Sequence, residues 1–327
     1  MMEHEKKVGT TRRELLVGYA KQLLISSIPA SLLVTAVNGG KLYEQRDRYL
    51  RALFDTQHTN DEVVRTGQNL LQQMYGIRLE FGVHSERENI SPGEYWTGTG
   101  LSTEEARRAI AATFTVLGRY PLDFFTRNRL PSVTIVKELV QIQREGFSET
   151  RLDWGGVAQH NQNAIIVEHS SELSIFESAL HHEIFHILEG RDGDSTKKNQ
   201  RWKQILQDCG CGEYGVQNPE ELRYPFVTDY GTTGPNEDRA EFAAALLEPF
   251  EHYHLVKRMQ KEEPSARRAL ELKIQSTKED YLRWSGGSMN QTYWDEIIAL
   301  GRQQAESEKH GYGASSIYVP PSAQGED

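Results

Sequence analysis

Apolar residues recur at helical spacing in two early segments. Leu42, Tyr49, Leu50, Leu53 and Phe54 share one side of residues 42–55, and Val63, Leu70, Leu71 and Met74 share one side of residues 60–75. Gly76 closes the second helix. Ile77, Leu79 and Phe81 then alternate with polar residues, which predicts a strand. Residues 85–100 are polar, with Pro92 and several glycines, and read as a loop. Thr103 to Leu117 reads as a helix, with Ser102 as its cap and Glu105 completing a capping box. Val133, Ile135 and Val136 predict a strand. Trp154–Ala158 and Ala164–Val167 predict two more, paired around polar Gln159–Asn163.

A helix follows from about Ser171 to Glu189, then a loop containing Gly190, Gly193, Gly210, Gly212 and Gly215. The next helix spans Glu237–Leu247, with Asn236 as N-cap, and stops before Pro249. Helices are expected at roughly 251–262, 265–284 and 290–308, and a disordered Gly/Ser/Pro-rich tail at 311–327. The order of elements predicts an α+β chain with a mostly helical C-terminal half.

Composition narrows the function classes. The chain has 327 residues, 37% apolar and 26% charged, enough for one large core or two small ones. A net charge of −10 and no dense Lys/Arg patch argue against a nucleic-acid partner, because phosphate binding needs a basic face. The 2 cysteines, Cys209 and Cys211, are too few for a disulfide framework or a thiolate zinc site, and read as two free or weakly redox-active thiols in a Gly-rich turn. Near the N-terminus, Thr11-Arg12-Arg13-Glu14-Leu15-Leu16 precedes a mostly apolar stretch to Val37. Residues 1–40 thus resemble a bacterial twin-arginine export signal with small residues at Val34-Thr35-Ala36 for cleavage, although Lys21 and Gln22 interrupt the apolar run. Two alternatives stay open. One is an amphipathic helix kinked at Pro29; the other is an uncleaved membrane anchor. The first reading places the chain outside the bacterial cytoplasm or in the envelope; an ordinary helix would leave it cytoplasmic.

The chemistry concentrates at His182-Glu183-Ile184-Phe185-His186. On a helix, residues i and i+4 lie on one face, so both imidazoles can reach one metal ion, and Glu183 can reach a water on it. Zn2+ suits such ligands and leaves a position open for water. The pattern is short, however, and His- and Glu-rich helices also produce it by accident; a third ligand discriminates. Glu237 and Glu241, again i and i+4, supply one carboxylate for the metal and another to fix a ligating imidazole. Their bland reading is two solvated acids at a helix start. Tyr230 on the preceding loop is either an oxyanion donor or a packed aromatic. His160 and His169 lie near the expected strands; on one reading one of them lines the cleft, and on the other an isolated His in a polar turn is a surface residue.

These residues carry a resemblance. The His-Glu-x-x-His helix followed by Glu237-Asp238-Arg239-Ala240-Glu241 resembles the gluzincin metallopeptidases. With Tyr230-Gly231 seven residues before Glu237, it looks like the catalytic domain of anthrax lethal factor. It looks closer still to a bacterial family of zinc-binding metallopeptidases, in which a doubled His precedes the Glu, as His181-His182-Glu183 does here, and a stretch like Phe226-Val227-Thr228-Asp229-Tyr230 precedes the acidic helix. The resemblance spans about residues 60–300 and is specific at 172–189 and 224–247. It implies a zincin-like fold over 41–310, with a small mixed sheet above and helices below. It also implies His182, His186 and Glu237 as zinc ligands, Glu183 as general base, Tyr230 as transition-state donor and Glu241 as the acid behind a ligand. His181 has no implied role. The expected activity is hydrolysis of a peptide or protein substrate. Two other readings compete: a catalytically idle zinc-stabilised domain for surface binding, and a helical scaffold without metal in which Glu237 lies far from the His pair.

Overall fold

The computed structural model describes residues 60–82, 94–130, 132–145, 148–153, 155–160, 163–170, 172–193, 195–215 and 225–309. The expected N-terminal signal or anchor, the helix at 42–55 and the C-terminal tail lie outside the described residues. Among the described residues, no helix is long and apolar enough to cross a membrane.

Helix α1 (Asn60–Tyr75) buries Val63, Leu70, Leu71 and Met74, the stripe its spacing predicts. It runs into strand β1 (Arg78–Phe81) and packs on α2 (Thr103–Leu117). Ser102 and Glu105 cap α2 reciprocally: the hydroxyl accepts the Glu105 N–H at 3.3 Å and the carboxylate accepts the Ser102 N–H at 2.8 Å. A single-turn helix, α3 (Phe124–Arg127), leads to β3 (Ser132–Val136).

Four strands make a mixed sheet in the order β1-β3-β7-β6, where β6 is Gly156–Gln159 and β7 is Ala164–Glu168. Strands β1, β3 and β7 are parallel. Strand β6 returns antiparallel along β7, with Gln159 opposite Ala164. Val133, Ile135, Ile165 and Val167 are fully buried, as expected for inner parallel strands. Strand β6 forms one edge and stays half-buried along its length.

A second, antiparallel sheet has the order β2-β4-β5, from β2 (Glu94–Gly98), β4 (Leu139–Glu145) and β5 (Ser148–Asp153). It corrects the expected loop over residues 94–98, while 85–93 lie outside the described residues. Tyr95-Trp96-Thr97 are strand formers, and the Pro and Gly residues only bracket them.

The remaining chain is helical: α4 (Leu173–Arg191), α5 (Ser195–Cys209), α6 (Pro235–Leu247), α7 (Pro249–Met259), α8 (Pro264–Trp284) and α9 (Gln291–Lys309). Helices α6, α7 and α8 each begin on proline, where the missing N–H costs nothing. Helix α6 therefore starts two residues before the expected Glu237, and Gly234, not Asn236, is its cap position. Helix α5 occupies the segment expected as a Gly-rich loop. Only Trp202, Ile205 and Leu206 are buried on it, too few apolar residues to announce a helix.

The cysteine expectation is also corrected: Cys209 and Cys211 are joined in a disulfide. Gly210, at φ +66°, turns the chain so that their Cα atoms come within 5.3 Å, inside bridging range. Most other side chains named above feed one core, in which α4 lies between the mixed sheet, α2 and α6.

Candidate metal centre

Helix α4 is buried on nearly every side. Phe176, Leu180, Ile184 and Ile187 are at most 1% exposed, which fixes its rotation. That rotation turns His182 and His186 toward α6. Ala240, Ala243 and Ala244 on α6 are buried and small, so the two helices approach closely. They run antiparallel, His182 meeting Glu241 and His186 meeting Glu237. One turn further, Arg239 Nη2 donates to Glu189 Oε2 at 2.9 Å and to Asn236 Oδ1 at 2.8 Å, a buried pair that locks the register.

Three ligand atoms converge. His182 Nε2 lies 3.0 Å from Glu237 Oε2, His186 Nε2 lies 3.2 Å from the same oxygen, and the two Nε2 atoms are 2.9 Å apart. The donor set tests whether a cation fits. Glu241 Oε1 accepts from His182 Nδ1 at 2.7 Å, and Thr228 Oγ1 donates to Glu241 Oε2 at 2.6 Å. The Nδ1 proton is therefore committed to Glu241, and in neutral His182 the Nε2 lone pair is bare. Two imidazole nitrogens and a carboxylate oxygen then face one point, so a proton or a cation must stand among them. Without a metal, a proton takes that place. Burial works against it, but hydrogen bonds to Glu237 and Glu241 push His182 up to about 10. Glu237, despite its own burial, is held well below the usual carboxylate range by His182 and His186. A divalent cation fits the same donor set, and His182, His186 and Glu237 are the His/Cys/Asp/Glu group among the described residues whose ligand atoms could hold one.

Glu183 is buried beside the triad. Desolvation, helped by the charge on Glu237, raises its pKa against the opposing pull of His182 and His186. Its side chain lies against the β6 backbone: a Cβ on Gly156 would stand 2.7 Å from Glu183 Cγ and 2.9 Å from Oε1. Tyr230 opens a short 3-10 turn, Tyr230–Thr233, and is 46% exposed. Its ring lies 5.8 Å from that of His182. Partial burial and the nearby Glu237 and Glu183 charges raise its pKa, so the hydroxyl stays a donor.

These groups line a cleft of about 1020 Å³ between the β6 edge and the α4–α6 pair. Gly155 to Ala158 form one wall, and Ile175, Val227 and Phe250 give the far end an apolar surface. His160 is exposed and lines the cleft as well, so the surface reading and the cleft alternative both hold for it; partial burial and His186 lower its pKa. His169 does not line it and packs edge-on against Phe176. His181 faces away, fully buried, with Nδ1 2.8 Å from Tyr120 Oη and Nε2 3.4 Å from Glu248.

Sequence reasoning passed over Asp238. It points away from the cleft into the core, where Lys273 Nζ at 2.5 Å and Tyr214 Oη at 2.7 Å donate to its Oδ2. Lys273 also donates to Pro225 O at 2.9 Å and lies 4.4 Å from the Phe226 ring centre and 5.1 Å from that of Trp202. The same Glu-Asp-Arg run thus serves the cleft through Glu237, the core through Asp238 and the helix register through Arg239. Compared with protein-family models, curated proteins and solved structures, the chain gives no match.

Proposed function

We propose that the chain is a zinc-dependent peptidase of the zincin-like, gluzincin kind its sequence resembles. One observation carries the reading: three lone-pair donors from two helices, His182 Nε2, His186 Nε2 and Glu237 Oε2, meet within 3.2 Å in a cleft that also holds Glu183 and Tyr230. His182, His186 and Glu237 would hold zinc, and Glu241 with Thr228 keeps His182 in the ligating tautomer. When bound, zinc supplies a Lewis acid that polarises a carbonyl and lowers the pKa of water to about 7.

The protein's own groups account for the rest. Glu183, its pKa raised by burial, takes a proton from the attacking water and returns it to the leaving amine. Tyr230 donates its hydroxyl to the carbonyl oxygen as charge develops there. Strand β6 offers its outer edge along the cleft, so an extended polypeptide can add to the sheet and present its backbone to Glu183. Glu183 and Tyr230 both lining the cleft favour this over an idle zinc-stabilised binding domain, which needs neither.

The test is a peptide-library digest by zinc-loaded protein beside Glu183→Gln. The variant is expected to retain zinc and lose roughly 10²- to 10⁴-fold in turnover. Equal turnover in the variant, or absence of bound zinc after gentle purification, would sink the reading.

A further inference from the structure

Helix α4 carries a glycine, Gly190, near its C-terminal end, where glycine is a poor helix former. Its place explains it. Residues 182, 186 and 190 are i, i+4 and i+8, so Gly190 continues the row of His182 and His186 along one helix face, about 6 Å beyond His186. The space a side chain would take there is filled by another ring: a Cβ at 190 would stand 2.4 Å from His160 Nδ1 and 2.7 Å from Cε1. A third imidazole thus extends the row, delivered from the opposite wall of the cleft.

His160 directly follows β6, whose residues pair with β7 up to Gln159. Its turn is fastened to α4 independently, because Arg191 Nε donates to Asn163 Oδ1 at 3.0 Å and Asn163 N donates to His160 O at 3.3 Å. The ring still lines the cleft. A peptide laid along the β6 edge runs past Glu183, to which Ala158 N–H donates, and the next polar group beyond the strand end is this imidazole. From Ala158, beside Glu183, to His160 is two residues, roughly 6.6 Å of extended chain.

The geometry points to His160 as a substrate-positioning residue, its ring hydrogen-bonding a main-chain carbonyl about two residues from the bond cut, with Gly190 kept small to seat it. This rests on the peptidase reading and names a contact with an extended peptide backbone rather than with a particular side chain.

The test pairs two changes at different positions. His160→Ala removes the ring, and Gly190→Ala pushes it aside while improving local helix propensity. Both are expected to raise KM about five- to tenfold, the worth of one hydrogen bond, with kcat and zinc content little changed. His160→Gln, which keeps a donor, is expected to recover most of the loss. Affinity for a cleavable peptide, measured by fluorescence anisotropy on zinc-loaded Glu183→Gln protein with and without each change, should weaken by the same factor. If the native chain cuts peptides and neither change moves KM or affinity, the assignment of His160 falls and the peptidase reading stands. A loss of kcat or zinc with KM unmoved would make the contact purely structural and also overturn the assignment. If the native chain neither binds nor cuts peptides, both readings fall.

Discussion

Glu237 and Asp238 are neighbours in the first turn of α6, yet they solve the same electrostatic problem in opposite ways. Asp238 is fully buried, and its counter-charge is built into the chain as Lys273, itself fully buried among aromatic rings. Glu237 faces the cleft, and the groups that meet it are the Tyr230 hydroxyl and two imidazoles whose charge is optional. A carboxylate whose cation is a buried side chain of the same chain is committed to that pair. One whose partners become acceptors when they lose their protons is left open to an exchangeable cation. Two adjacent residues thus separate what holds the fold from what the fold presents.

The largest expected effect tests the inner half of that contrast. Burial raises the Asp238 pKa to about 6 although Lys273 pulls it down, so the pair is balanced closely against desolvation. Lys273→Met leaves Asp238 buried and unpaired, and is expected to cost about 3–5 kcal/mol of stability in urea unfolding. The loss should be the same with and without zinc. Adding Asp238→Asn should return part of it, because removing both partners of a buried pair is cheaper than removing one. A loss confined to the zinc-loaded protein would erase the distinction between the two carboxylates.

The contrast also shows what was legible in sequence. The convergence in the cleft was readable because the metal site proposed there imposes spacing: His182 and His186, then Glu237 and Glu241, are each one turn apart on a helix. The core half was not. Asp238 and Lys273 lie 35 residues apart with no periodic relation, and a lone acid beside a ligand reads as surface. The capped helix start at Ser102–Glu105 and the apolar stripe at Val63–Met74 were also plain. Helix α5 was missed because its stripe is three residues, and β4 because Leu139-Val140-Gln141-Ile142-Gln143 carries its alternation through glutamines. Which of His160 and His169 lines the cleft needed tertiary knowledge, because both sit beside strands in polar surroundings.

A middle-sized effect belongs to Glu241, which touches His182 but stands outside the converging triad. Glu241→Gln keeps an acceptor for the Nδ1 proton and removes the charge behind it. Zinc affinity, measured by competition with a chelator, is expected to fall about 10- to 100-fold, and the metal-free protein is expected to lose the part of the protonated His182 stability that the Glu241 charge supplies. Unchanged affinity would mean that the orientation of His182 comes from packing on α4 alone.

The smallest effect is the most specific to the outer carboxylate, because it counts protons. In the metal-free protein, His182 has a folded pKa of about 10 against 6.5 for the free side chain. A raised pKa contributes stability that is fully present below 6.5 and is lost as pH rises through about 10. Zinc requires His182 Nε2 without its proton, so binding between pH 7 and 9 must release that proton. Affinity should therefore rise about tenfold per pH unit over this range, and the heat of binding should change with the ionisation enthalpy of the buffer. Glu237, whose folded pKa is depressed, stays ionised throughout this window and adds nothing to the slope. Asp238 also stays out of it, because its charge is balanced by Lys273 whether or not zinc is present. A flat affinity from pH 7 to 9 would mean that no proton stands where the cation goes, and the two carboxylates of α6 would no longer differ in kind.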